Sequence, residues 1–184
     1  MADEREPTVA VEGEFVGKRV TVRVERVRLD DGSEALRDIV HHPNSVVIVP
    51  VDADGNVVLV RQYRKAAGRE LLELPAGVMN ADEQDPMAAA RRELREETGL
   101  NCERLSALGD FFAAPGSMSE QLFSFIATGL FEDPLPADAD ERIEVVRIPF
   151  ERLVEMARDG QVNDAKTLAS MMLAAAYVAA DALN

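Results

Sequence analysis

Three glutamates crowd the end of one predicted helix. In the run Arg92-Glu93-Leu94-Arg95-Glu96-Glu97-Thr98-Gly99-Leu100, helical periodicity places Glu93, Glu96 and Glu97 at i, i+3 and i+4, on a single face. Like charges at that spacing destabilise a helix by roughly a few tenths of a kcal/mol per pair. Glu96 and Glu97 also fall in the last turn, where the helix dipole disfavours negative charge. Arg92, one turn before Glu96, offsets part of this but cannot serve all three. Met87, Ala90 and Leu94 form an apolar stripe beside the acids, which sets them near the core boundary. Such a cluster is a candidate cation site, and its hard oxygen donors, without His or Cys, suit magnesium, manganese or calcium better than zinc. The plain alternative is a solvated charged face. The strained position, the glycine loop before it and the glycine stop after it favour the metal site.

Two further groups could carry chemistry. Arg61, Arg64, Lys65 and Arg69 put four positive charges in nine residues with no acid among them. In an acidic protein, just before a glycine loop, such a patch fits a diphosphate or ribose phosphate, with Arg64 the strongest candidate. A solvated hairpin turn is the competing reading. Glu120 lies in a loop that contains Pro115 and Gly116, the kind of place where a movable catalytic group belongs. The paired His41 and His42 point to opposite faces of a strand and cannot readily chelate one ion. Cys102 reads as a small apolar side chain, and Met171 and Met172 as packing on an Ala-rich helix. With two histidines, both beside a proline, no Ser-His-Asp or Cys-His arrangement can be argued.

The elements that must position these groups follow from local signals. Asp85-Pro86 starts the acidic helix, with Asp as N-cap and Pro at the first helical position, and Gly99 ends it. Ahead of it, Thr8 to His41 alternates in the strand period, with a turn at Asp30-Asp31-Gly32-Ser33. Val20, Val22 and Val24 share one face there, but Val27 and Leu29 fall on the other, so a bulge is expected near Glu25 or else a strand covered on both faces. Ser45 to Val51 is a continuous apolar run, as of a strand buried on both sides. Strands are also expected at Val57 to Gln62, at Glu70 to Leu74 (stopped by Pro75-Ala76-Gly77), at Arg104 to Leu108, at Gln121 to Thr128 and at Ile143 to Ile148. An acidic loop spans Glu132 to Glu141, and helices are expected at Phe150 to Arg158 and Asp164 to Ala182. This order predicts a mixed α/β fold, helices packed on a sheet, preceded by a small antiparallel sheet.

Composition bounds the function classes. The 184 residues are 47% hydrophobic and carry a formal charge of −14, enough apolar material for a packed core and a surface that repels nucleic acid and anionic lipid. The longest uncharged stretch, Thr167 to Ala180, has 14 residues, short of a membrane span. The N-terminus is acidic and unlike a secretory signal, and the lone Cys102 fits a reducing cytoplasm.

At the acidic helix the sequence resembles the Nudix hydrolases, whose box reads Gly, five residues, Glu, seven residues, then Arg-Glu-aliphatic-any-Glu-Glu-any-Gly-aliphatic. Here Gly77, five residues and Glu83 are followed by eight residues and then Arg92 to Leu100. The helical half matches throughout, and the loop half is one residue longer, so whether Glu83 meets Arg92 is left open by the count. The resemblance implies an α/β/α sandwich with a mixed sheet and two or three Mg2+ or Mn2+ ions. Their ligands would be Glu93, Glu96, Glu97 and the Ala76 carbonyl, with Gly77, Glu83, Arg92 and Gly99 as structural box residues. Gln62-Tyr63-Arg64, Glu73-Leu74-Pro75-Ala76-Gly77, Pro115 and Asp164-Ala165-Lys166-Thr167 resemble the ADP-ribose pyrophosphatase branch in particular.

That branch implies hydrolysis of ADP-ribose to AMP and ribose 5-phosphate. Glu120 and Glu97 would be catalytic, and Arg64, Arg61, Glu73 and Pro115 would bind substrate. It also implies a homodimer formed through an N-terminal β segment, residues 1–42, ahead of a hydrolase domain at 43–184. The box reads diphosphate and metal rather than the base, so another nucleotide-sugar or nucleoside diphosphate derivative is the alternative substrate. A non-catalytic nucleotide-binding module on the same fold is a further alternative, and the presence of all three helix glutamates speaks against it.

Overall fold

The computed structural model describes residues 5–137 and 142–181. Residues 1–4, the end of the expected acidic loop at 138–141, and Ala182 lie outside the described residues. The chain forms two compact units, residues 1–44 with 112–121, and residues 45–111 with 122–184.

The first unit holds a three-stranded antiparallel sheet of β1 (Thr8–Val16), β2 (Thr21–Arg28) and β3 (Glu34–His41). The β2–β3 register runs without interruption from Thr21 opposite His41 to Arg28 opposite Glu34. The turn between them is closed by the Leu29 N–H donating to the Ser33 carbonyl, 2.8 Å, with Gly32 at φ 82°, a conformation glycine adopts without Cβ strain. The bulge expected near Glu25 is not in β2. The irregularities lie in β1, between Thr8 and Ala10 and between Val11 and Gly13. The second of these lies opposite Glu25 and Val24; within β2, Glu25 and Val27 are buried on one face, and Val22 and Val24 half-buried on the other. Val9, Val11, Phe15, Val16 and Leu36 leave apolar surface exposed on this sheet.

In the second unit, β4 (Ser45–Pro50) is central. It pairs parallel with β9 (Gln121–Glu132) and antiparallel with β7 (Ala76–Val78). With β8 (Leu100–Phe112) they form a mixed sheet of order β7-β4-β9-β8. A second, antiparallel sheet has β5 (Asn56–Arg64) between β6 (Arg69–Glu73) and β10 (Ile143–Pro149). Every residue of β4 is buried, and its alternating side chains serve two cores. Val46 and Ile48 pack with Ala89, Ala90 and Leu94 of α1 (Pro86–Thr98). Val47 and Val49 pack with Leu59, Leu72 and Leu74, with Leu153 of α2 (Phe150–Arg158), and with Met171 and Ala174 of α3 (Ala165–Asp181). A strand sandwiched in this way reads as an unbroken apolar run.

Four local expectations need correction. The segment after Leu74 is not only a stop: the Pro75 carbonyl accepts from the Ile48 N–H at 2.9 Å, and Ala76–Val78 pairs with β4. Strand β8 begins at Leu100 rather than Arg104, because Gly99 in the left-handed conformation (φ 74°) turns the chain directly out of the helix. The apolar stripe of α1 is Ala89, Ala90 and Leu94, and Met87 in the first turn is exposed. On α3 only Met171 packs inward, and Met172 faces solvent.

Candidate active site

The site is built where the β7 segment meets the last two turns of α1. The helix is held at both ends as its sequence prescribes: the Asp85 carboxylate accepts from the Met87 N–H at 2.9 Å, and the Gly99 N–H donates to the Arg95 carbonyl at 3.1 Å. That frame fixes which face carries the acids. Glu93 and Glu97 are buried and Glu96 half-buried, so two of the three carboxylates are largely withdrawn from water. The Ala76 N–H donates to Glu97 Oε2 at 3.0 Å, which ties the β7 segment to the helix. Gly77 lies flat against Glu93: a Cβ at this position would overlap all three atoms of the Glu93 carboxylate. No positive φ is involved, so the glycine serves close approach alone.

Arg92 organises the cluster. Its Nε and Nη2 donate to Glu83 Oε1 and Oε2 at 2.8 and 2.9 Å. Its Nη1 donates to Glu93 at 2.7 Å and Glu96 at 2.6 Å, and Nη2 reaches the Val78 carbonyl at 3.3 Å. The extra residue in the loop therefore does not separate Glu83 from Arg92. The Asn80 N–H donates to Glu83 at 2.7 Å, so the loop folds back and absorbs the added length. Hydrogen bonding to Arg92 is the main reason the Glu83 carboxyl lies below its ordinary range. The same bond, with the charge of Glu93 and the hydrogen bonds to Glu96 and Glu93, outweighs burial and raises the Arg92 guanidinium well above its own range.

Do these residues fit the divalent ions that the resemblance implies? Among the described residues, no three of His, Cys, Asp and Glu converge around one point as an ion requires. In this arrangement Arg92 and the Ala76 N–H draw the carboxylates instead. The donor chemistry does fit. Glu83, Glu93 and Glu96 share the Arg92 guanidinium, all donors are hard oxygens, and each carboxylate has about four lone-pair sites, so one arginine contact does not exhaust it. The Gly77 cradle holds Glu93 where a larger residue would expel it.

A second group adjoins this one along the chain. Arg64, at the end of β5, donates through Nε and Nη2 to both oxygens of Glu73, at 2.9 and 2.7 Å. Glu73 is 1% exposed. Burial opposes its ionisation most strongly, but the bonds and charges of Arg64 and Lys166 outweigh this and leave its carboxyl below the ordinary value. Lys166 and Asp164, absent from the site set read from the sequence, join here: Lys166 Nζ binds Glu73 Oε2 and lies 3.0 Å from Asp164. The motif Asp164-Ala165-Lys166-Thr167 was the signal that could have found them. Arg61 goes elsewhere, pairing with Glu144 at 3.1 Å on the exposed face of β5 and β10.

Glu120 and Pro115 belong to the first unit. There the 113–120 loop is fastened to the end of β3 by the Val40 N–H donating to the Ser117 carbonyl (2.8 Å) and the Ser119 N–H to the Val40 carbonyl (3.0 Å). His42 Nδ1 stands 3.5 Å from Glu120 Oε1. The adjacent His41 reaches Glu25 instead, at 3.1 Å. Cys102 is buried, and burial raises its thiol pKa.

With that geometry in view, the comparisons place the chain. The NUDIX domain family matches residues 41–171, and the chain belongs to this family of hydrolases. An ADP-ribose pyrophosphatase of Bacillus subtilis (strain 168) is 36% identical over 169 residues, 91% of each chain. A methanol dehydrogenase activator of Bacillus methanolicus is 33% identical over 165 residues, 89% of each. A crystal structure described as an ADP compounds hydrolase superposes with a TM-score of 0.86 over 96% of both chains at 23% identity, which shows the shared fold.

Proposed function

We propose that the protein hydrolyses the diphosphate of ADP-ribose, releasing AMP and ribose 5-phosphate, with Glu93, Glu96, Glu97 and the Ala76 carbonyl holding two or three Mg2+ or Mn2+ ions. The carrying observation is the crowding of Glu93, Glu96 and Glu97 on one helix face, two of them buried and Glu93 packed against Gly77. Arg92 bonds Glu83, Glu93 and Glu96, and its single charge does not balance the acids gathered there, which leaves a need that divalent ions would meet. The relative in Bacillus subtilis supports the choice of substrate. Divalent ions, when bound, supply Lewis-acid charge to the diphosphate and to the attacking water. The chain's own residues do the rest: Glu120 orients that water and takes its proton, while Arg64 steadies negative charge on the departing phosphate. Gly77 and the Glu83–Arg92 pair keep Glu93 and Glu96 in register.

In this reading residues 1–42 form a dimerisation segment, supported by the exposed Val11, Phe15 and Leu36 of the N-terminal sheet. The test of substrate is a hydrolysis screen with magnesium across ADP-ribose, GDP-mannose, NADH and dinucleoside polyphosphates. A higher kcat/KM on any compound other than ADP-ribose overturns the substrate assignment. Binding without turnover under several metals overturns the enzymatic one.

A second reading comes from the methanol dehydrogenase activator, which matches nearly the whole chain: the protein raises the activity of a dehydrogenase. Adding it to methanol dehydrogenase, with Glu97→Gln as the control, separates an effect that needs hydrolysis from one that needs only contact.

A further inference from the structure

We infer that Lys166 is a positioning residue for the substrate diphosphate, acting through Glu73 on Arg64; this rests on the proposed role of Arg64 as a diphosphate ligand. The ion cluster contains more than a structural pair requires. Arg64 and Glu73 already satisfy each other in a two-pronged bond, and a buried carboxylate needs no second cation for neutrality. Yet Lys166, at the start of α3 and itself largely buried (side chain 17% exposed), shares Glu73 Oε2 with Arg64.

Two consequences follow from the charges. With Glu73 divided between two cations, the field of Arg64 is not cancelled by its partner. Its side chain remains 39% exposed, and Nη1, which bonds none of the described residues, is the edge left for an anion. Asp164, 3.0 Å from Lys166, balances the lysine, and its charge, with that of Glu97, also acts on Arg64.

The latch is mechanically tied to the loop of the proposed metal site. Thr167 Oγ1 donates to Asp164 at 2.6 Å and accepts from the Leu74 N–H at 2.9 Å. Leu74 is two residues before Ala76, whose N–H holds Glu97. The start of α3 thus clamps the chain at Glu73, the last residue of β6, and at Leu74 after it, while its lysine sets the charge presented by Arg64.

The test is steady-state kinetics of the full-length protein on ADP-ribose with magnesium. Lys166→Met should raise KM about tenfold and change kcat less than about threefold, because it weakens ground-state capture of the diphosphate rather than the chemical step. Lys166→Arg should restore most of the loss. Removing the neutralising acid as well should cancel the effect: Lys166→Met combined with Glu73→Gln should match Glu73→Gln alone in KM within about twofold. A purely structural lysine would lower the melting temperature and add its KM loss to that of Glu73→Gln, and that outcome overturns the inference. If Lys166→Met alone is too unstable to assay, the comparison of the pair with Glu73→Gln decides the matter by itself. Arg64→Ala is the separate control. An unchanged KM there removes the diphosphate role of Arg64 and with it the reading on which this rests. A raised KM there, with Lys166→Met at the wild-type value, removes the lysine's role alone.

Discussion

Gly77→Ala isolates the geometry of the acidic cluster from the stability of the fold. Gly77 has no left-handed φ, so alanine is conformationally acceptable and the whole effect is steric. The new methyl would overlap the Glu93 carboxylate, and to reach the 3.0 Å that real Cβ atoms keep that carboxylate must retreat by about 1 Å, a displacement that can cost on the order of 100-fold in rate when it falls on a catalytic or ligating group. The atom that yields is the end of a flexible side chain rather than backbone, so folding suffers little: loss of the 2.7 Å contact to Arg92 costs roughly 1 kcal/mol. The expected result is a fall of about two orders of magnitude in kcat/KM for ADP-ribose with a melting temperature lowered by no more than about 5 °C. In a Glu93→Ala background the same substitution should cost almost nothing further, because the atoms it displaces are gone. Full activity of Gly77→Ala, or an equal additional loss without Glu93, would refute the claim that this glycine exists to admit that carboxylate.

Other consequences are open to direct measurement. Glu97→Gln keeps the side chain's shape and an oxygen to accept from Ala76, so turnover should fall by orders of magnitude while the circular dichroism spectrum stays native; near-normal turnover would remove Glu97 from the metal set. Leu94, wholly buried between α1 and the mixed sheet, should cost about 2–5 kcal/mol on truncation to alanine, read from the urea midpoint. Glu73 has a folded-state pKa below its ordinary 4.5. Its contribution to stability is therefore present above pH 4.5 and lost as pH falls through the lower folded value, so the pH dependence of the urea midpoint in that acid range should be shallower in Glu73→Gln than in the wild type. Light scattering at micromolar concentration should give a dimer mass, and Phe15→Asp, on the exposed apolar sheet, should shift it to monomer; a monomeric wild type would end the dimer proposal.

How much of this is legible in the amino-acid sequence depends on the range of the interaction involved. The acidic helix is legible from cap to cap, because Asp85, Pro86 and Gly99 act on backbone groups within one turn of themselves. The placement of Glu93, Glu96 and Glu97 on one face follows from the helical repeat alone. The continuous apolar run of β4 likewise declares a strand covered on both sides, and the two cores it feeds bear that out. Ala76–Val78 is not legible as a strand, since three residues after a proline carry no periodic signal and pair only because β4 offers them an edge. Counting residues leaves the role of Glu83 undecided, and the loop's own hydrogen bonds resolve where its carboxylate goes.

The charged partners divide in the same way. A cluster of four cations ahead of a glycine loop is visible in the sequence, but not that Arg64 turns inward to a buried glutamate while Arg61 stays at the surface with Glu144. Nor could any local pattern bring Lys166 to Glu73 across 93 positions of chain. Residue types and short-range spacing determine which groups are present and which helix face they share. Which charge meets which, and which of them are taken out of water, is decided only when distant segments pack.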